Sequence, residues 1–440
     1  MEVGINAADT VWVLVCAALV LLMTPGLALF YGGMVRAKSV LNMIMMSFVC
    51  MGLVTVLWVL YGYSMVFGPD VGLGLVGDLS KAGLGDAVTS VVGSPGHQIP
   101  ELAFVMFQLT FAIITSALLS GAIADRAKFG AWLVFVGVWV TLVYFPIAHW
   151  AFAVDGGDGG WIVDRLHALD FAGGTAVEIT SGASSLALAL VLGRRLGWRK
   201  DPMRPHNMPL VLLGAGLLWF GWFGFNAGSA LTATPLAATA MMNTQIATAL
   251  GALAWVATER VRDGHATTLG IASGAVAGAV AITPACGFVT PLGAMVVGAV
   301  AGVVCSVAVG LKYRFGYDDS LDVVGVHMVG GLVGMLLIGV LATTLVNSAG
   351  GDGLVAGGGM DQMWRQVVAS LVTLAYAFTS TWLIARGLDR LMGFRLQPEI
   401  ERAGVDIAAH AESAYDFVAA GGSVISGHPM RDPHAGKGYE

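Results

Sequence analysis

Residues 170–192 read DFAGGTAVEITSGASSLALALVL, an apolar, glycine-bearing run of about the length needed to cross the hydrocarbon layer as a helix. It opens on Asp170 and carries Glu178 eight residues further on, a little over two helical turns deeper. A carboxylate inside such a run is costly in lipid and normally faces a cavity or a partner. The segment therefore predicts a membrane-spanning helix that lines something polar.

The surrounding chain agrees. Of 440 residues, 57% are hydrophobic and 11% charged, and the mean hydropathy is +0.79, which excludes an ordinary water-soluble domain. The 61 glycines fit helices whose backbones approach closely. Cys16, Cys50, Cys286 and Cys305 lie in apolar runs without metal-ligand spacing and read as core. There is no nucleophile–base set and no phosphate loop, and the loop and tail histidines His206, His265, His428 and His434 are too dispersed for a metal site. An enzyme is not expected, nor a cofactor, a metal or a nucleic-acid partner.

Apolar runs mark eleven spans, at about 11–34, 41–67, 102–123, 129–153, 171–192, 210–228, 236–258, 268–283, 291–311, 323–345 and 363–385, the eighth being the shortest. Alternate loops hold Arg36 and Lys38, Arg126 and Lys128, the 194–204 cluster, Arg260 and Arg262, and Lys312 and Arg314, while the opposite set holds only Lys81, Arg165 and Arg365. The positive-inside rule then places the N-terminus outside and the C-terminal tail in the cytoplasm. The start, MEVGINAADT, has no basic n-region, so the first span is expected to remain in the protein. The fold class expected is all-α and polytopic, with a transmembrane domain over 1–392 and a cytoplasmic tail over 393–440. Asp170 opens the fifth span and Asp322 the tenth, an echo that suggests two inverted five-helix halves, about 9–193 and 208–346, around a central pore, with 363–385 outside the repeat.

Glu178 in the fifth span and His327 in the tenth are the strongest functional pointers. In an inverted repeat they could meet near the midplane, where a carboxylate and an imidazole can pair, share a proton, or deprotonate a small cation. The structural alternative is that each is a buried polar group satisfied by a neighbouring helix. Asp170 and Asp322 are both expected to cap helix N-termini.

An ordered series of segments carries a family likeness: PGLALFYGGMVRAKSVLN in the first span, FQLTFAIITSALLSGAIADR in the third, DFAGGTAVEITSG in the fifth, GWFGFNAGSAL in the sixth, NTQIATALGALAW in the seventh, AITPACGFV in the eighth and DVVGVH in the tenth. The chain resembles the Amt/Mep/Rh ammonium transporters, in the Amt/Mep branch, over nearly its whole length. The resemblance implies a homotrimer in the cytoplasmic membrane, embedded in membrane lipid, with one pore per subunit and ammonium as substrate; methylammonium is the further substrate it suggests. It also implies an outer recruitment site from Phe107, Ser229 and Phe152, with Asp170 beside it, a stacked gate from Phe111 and Phe225, and Trp222 further in. Without the resemblance these aromatics would read simply as core.

Two departures stand out. The family usually has Trp at Phe152, so cation–π attraction at the mouth is expected to be weaker unless neighbouring Trp150 compensates. Glu178 stands where the family usually has the first of two pore histidines, as some fungal members do, and so the proton chemistry must differ. The expectation is that ammonium sheds its proton past the gate, ammonia crosses the apolar pore, and the proton follows through Glu178 and His327, which titrate as a coupled pair. The tail segment RAGVDIAAHAESAYDF resembles the family's cytoplasmic regulatory motif, with Ala411 in place of a glycine, and implies a PII-type signalling partner. Two other readings are an ammonium sensor signalling through the tail and an electroneutral gas channel for ammonia or carbon dioxide.

Overall fold

The computed structural model describes residues 4–415 and is mostly helical. The long helical segments are α1 Ala7–Met34, α2 Ala37–Phe67, α3 Glu101–Ile123, α4 Phe129–Phe152, α5 Gly174–Leu192, α6 Met208–Gly228, α7 Pro235–Asp263, α8 Thr268–Ile282, α9 Pro291–Phe315, α10 Val324–Leu341 and α11 Asp361–Met392. Nine of them are long and apolar enough to cross a membrane. The two that are not, α7 and α8, have different reasons. Helix α7 carries Asn243, Thr244 and Thr248 on a buried face, where the Asn243 amide donates to the carbonyls of Cys286 and Val289. Helix α8 has 15 residues and is buried almost throughout, so it sits among other helices instead of against lipid. The only strands among the described residues are two-residue segments, Val91–Val92 and Ile99–Pro100, paired antiparallel in the loop before α3.

Helices α5 and α10 begin alike. Each starts with a π-type turn, Gly174–Ile179 and Val324–Met328, in which the N–H of Thr180 reaches the carbonyl of Thr175 and that of Val329 the carbonyl of Val324. Glu178 and His327 lie within these two turns, a feature that often marks functional sites. The helices then cross closely. A Cβ on Gly182 would lie 2.2 Å from the backbone nitrogen of Met328, and one on Gly331 would lie 2.9 Å from the Cβ of Glu178. Only residues without a side chain allow this approach.

At the opposite end of the bundle from Ser229, the basic loop residues form a buried ionic network. Arg195 binds Asp318 with two nitrogens, Arg36 reaches Asp125 at 3.0 Å, and Arg126 donates to Ser320 and to the carbonyl of Asp318. The tail folds back onto this end through two short helices, Pro398–Ala403 and Val405–His410. Glu401 accepts from the N–H of Leu196 and from Arg395, while Asp406 accepts the N–H groups of Leu41 and Asn42 at the start of α2. His410 contacts Asn42, and the Tyr415 hydroxyl meets His206. Ala411 adopts φ 56°, the left-handed conformation that glycine takes most easily. Asp416 and Phe417, which end the tail motif, lie outside the described residues, as do His428 and His434. The four cysteines are buried and unpaired.

Candidate functional site

Two cavities face each other across a pair of rings. The outer one, about 750 Å³, is walled by Phe111, Phe152, Asp170 and Ser229 among others. The Ser229 hydroxyl donates back to the carbonyl of Phe225 at 2.8 Å, which leaves its lone pairs available to a cation. Phe152 stands edge-on to Phe111, with centroids 6.4 Å apart. Phe111 and Phe225 stack at 4.1 Å and an interplanar angle of 26°; Phe111 borders the outer cavity and Phe225 the inner one. The stack is therefore the partition.

The inner cavity, about 20 Å³, has room for a molecule the size of water or ammonia. Its wall is largely apolar, with Val177, Leu218, Trp222 and Phe225, and Glu178 and His327 open onto it. The His327 Nδ1 lies 2.7 Å from a Glu178 carboxylate oxygen, and both side chains are buried. The Trp222 indole donates to the Thr283 hydroxyl at 2.9 Å, which in turn donates to the carbonyl of Ala279. Thr283 thus fixes a ring on the wall of the inner cavity, a contact that no spacing in the sequence announces.

Several expected placements differ. Phe107 is fully buried behind Phe111, edge-on at 4.9 Å and packed against Gly228, and does not border the outer cavity. The two rings are four apart on one helix face, so the deeper-set ring is covered by its neighbour. Gln108, for which the sequence carries no distinguishing signal, borders the cavity instead. Trp150 is buried as well. Its indole donates to the carbonyl of Leu75 and packs on Trp161 and Tyr376, so it offers no ring to the mouth in place of Phe152.

Asp170 binds the start of α5 with both oxygens, accepting from the N–H groups of Gly173, Gly174 and Thr175 and from the Thr175 hydroxyl, and it borders the outer cavity. Asp322 does not cap α10. Its carboxylate pairs with Lys312 at the edge of the inner cavity, and the oxygen that accepts the N–H of Val324 belongs to Asp319. The reason is backbone conformation. Asp322 has φ 65°, which turns its side chain away from the helix start. With Asp319 as the cap, the two segments match: Asp170 precedes Glu178 by eight residues, and Asp319 precedes His327 by eight. Among the described residues no group of His, Cys, Asp and Glu is arranged to hold a metal ion.

Comparison with known proteins gives one result throughout. A family model described as Ammonium Transporter Family matches residues 11–415. An ammonium transporter of Mycobacterium tuberculosis is 57% identical over 441 residues, covering 96% of this chain and 92% of the relative. One from Bacillus subtilis is 47% identical over 410 residues, covering 92% and 98%. The crystal structure of Saccharomyces cerevisiae Mep2 superposes with a TM-score of 0.81 at 35% identity, covering 90% of this chain and 89% of that one.

Proposed function

Since the chain belongs to the Ammonium Transporter Family and is an ammonium transporter, we propose that each subunit passes its substrate as ammonia plus a proton, with the Phe111–Phe225 stack as gate and Glu178–His327 as the proton path. Ammonium in the outer cavity meets the faces of Phe111 and Phe152 and the lone pairs of Ser229, which suits a small monovalent cation. The negative carboxylate of Asp170 stands on the same wall. Past the stack, an intact ammonium ion would be stripped of water in an apolar passage one molecule wide, at high cost. Loss of a proton removes that cost. Ammonia then needs no charge partner in the lumen, and the proton needs an acceptor beside it.

One observation carries this reading, the 2.7 Å contact between Glu178 and His327 on the wall of a small, largely apolar cavity. A carboxylate bound to an imidazole can take a proton at one partner and release it from the other. Net transport therefore moves charge. The measurement is the current after an ammonium pulse to supported membranes bearing the protein, with wild type compared with Glu178→Gln and Glu178→His. Wild type gives a current, the Gln variant loses it, and the His variant retains part. An undiminished current through the Gln variant would remove the carboxylate from the path.

The same reading takes the chain as eleven spans in the cytoplasmic membrane, N-terminus outside, with α1–α5 and α6–α10 as inverted halves, α11 outside the repeat and a regulatory tail from 393. Support for the halves comes from the matching π-type turns, the equal Asp-to-pore spacings and the reciprocal Gly182 and Gly331 crossings. We take the assembly to be a homotrimer and the tail face to be the docking surface for a PII-type signalling protein. The tail's hold on the first turn of α2 through Asp406 favours a regulatory connection. Methylammonium is a further candidate substrate. Uptake measured in cells separates transport from a sensing role with little flux.

A further inference from the structure

His149 on α4 is 1% exposed, and its Nδ1 lies 2.7 Å from the carbonyl oxygen of Val66 near the end of α2. A carbonyl only accepts, so Nδ1 carries a proton and donates it. The other ring nitrogen, Nε2, has no hydrogen-bond partner; 3.4 Å away stands Oδ1 of Asp70, which has none either. A neutral ring in this tautomer would set a lone pair against a carboxylate, two buried acceptors with no donor between them. A proton on Nε2 turns the same geometry into an ion pair.

We propose that His149 is held as an imidazolium on Asp70, and that this pair is a positioning element for ammonium capture, locking the end of α4 that places Phe152 over the gate. Phe152 follows His149 by three residues, so the two lie on neighbouring positions of one helix face. Both border the outer cavity, as does Asp70. The anchor is well tied. The second oxygen of Asp70 accepts the N–H of Gly74 at 2.9 Å and lies 3.3 Å from Arg165. Burial works against this carboxylate, yet the backbone N–H groups of Gly74 and Gly72 and the His149 ring outweigh it and hold Asp70 below the ordinary carboxylate range. Asp70 therefore stays ionised beside the ring.

The other charged or titratable groups on the packed segments are engaged elsewhere. The Tyr63 hydroxyl and Lys81 bind Glu101, Asp78 binds Ser80, and Asp164 accepts three backbone N–H groups of the 155–159 loop. Asp155 and Asp158 are exposed to solvent. Asp70 and Arg165 are thus the charges that act on the ring.

Loss of the Nε2 proton leaves two acceptors facing, loosens the end of α4 and weakens capture. The inference rests on the outer cavity being the ammonium entrance, so one readout is chosen that does not depend on transport. Nitrogen-15 NMR of histidine-labelled full-length protein is expected to show the His149 ring protonated on both nitrogens at about pH 6. A ring with bare Nε2 there overturns the proposal, whatever the currents do. In the second readout, the KM for ammonium current in wild type rises by about two- to tenfold between about pH 6 and pH 8, the worth of one lost hydrogen bond. Asp70→Asn supplies an uncharged N–H donor to a neutral ring and is expected to flatten that profile. An Asn variant whose KM follows pH as wild type does would overturn the positioning role. Absence of any wild-type current, with the doubly protonated ring observed, would count against the transport reading and leave the ion pair standing.

Discussion

The outer start of α5 and the inner start of α10 solve one backbone problem with different residues. Each has a carboxylate eight residues ahead of Glu178 or His327, namely Asp170 or Asp319, that takes the first free N–H groups of a π-type turn. Each needs a left-handed residue just before the turn. On the outer side this is Gly173, at φ 118°; on the inner side it is Asp322, at φ 65°. Glycine adopts that conformation freely and an aspartate does so at a cost of about 1 kcal/mol. Strain of this kind is kept where the side chain is useful. The aspartate places a second carboxylate at the edge of the inner cavity, bound to Lys312, where the matching position of the other segment, Gly173, has only backbone. The two helix starts thus share a scaffold and differ in charge.

The largest effect should come from breaking the outer cap. Asp170→Ala leaves three N–H groups and a hydroxyl without their acceptor, and a loss of at least about 3 kcal/mol is expected. Thermal unfolding in detergent checks this, and Asp319→Ala should cost less because fewer donors depend on it. A drop for Asp319→Ala equal to that for Asp170→Ala would mean the caps are more alike than their bonds.

The inner cap also predicts a pH dependence. Burial pushes the Asp319 carboxyl up to about 6, with Asp322 adding to the rise and Lys312 opposing it. A raised folded-state pKa means the folded protein holds this proton more tightly than the unfolded chain. The stabilising contribution is full below about pH 4 and is lost as pH rises to about 6. The unfolding midpoint of wild type relative to Asp319→Asn should therefore climb as pH is lowered from 7 to 5. A difference that stays level across that range would contradict the burial argument.

The smallest effects lie at the left-handed residues. Gly173→Ala adds a Cβ 2.7 Å from Val177 in a conformation alanine resists, and should cost about 1–2 kcal/mol. Asp322→Gly relieves the backbone but strands Lys312, which keeps only the carbonyl of Asp319. The two contributions oppose, so unfolding should shift by about 1 kcal/mol or less, while proton-coupled current changes if the inner charge matters. A large loss of stability in the glycine variant would show that the ion pair, not the backbone, dominates there.

Much of this was legible in the sequence. Apolar runs located the helices, though α7 and α11 run five and seven residues past the expected ends, and the pairing of Glu178 with His327 was anticipated because two ionisable groups inside apolar segments have few places to go but to each other. The stacked Phe111 and Phe225 were reached only through family likeness, since two aromatics in apolar helices are otherwise indistinguishable from core. The likeness of the two helix starts was legible as an echo, yet its register was misread. DVVGVH offers Asp322 as the nearest aspartate, and only the backbone angle at that residue reveals that Asp319 turns toward the helix.

Composition and one-dimensional patterning thus determined that the chain is a membrane bundle, where its helices lie, and which buried groups can carry charge, because the cost of placing polar atoms in lipid acts on each segment separately. Which face of a helix each side chain meets was decided by packing between segments far apart in the chain. Phe107 went behind its neighbour, Trp150 to a loop carbonyl and His149 to Asp70 because close-packed helices leave each ring one free direction, and no local pattern encodes that direction.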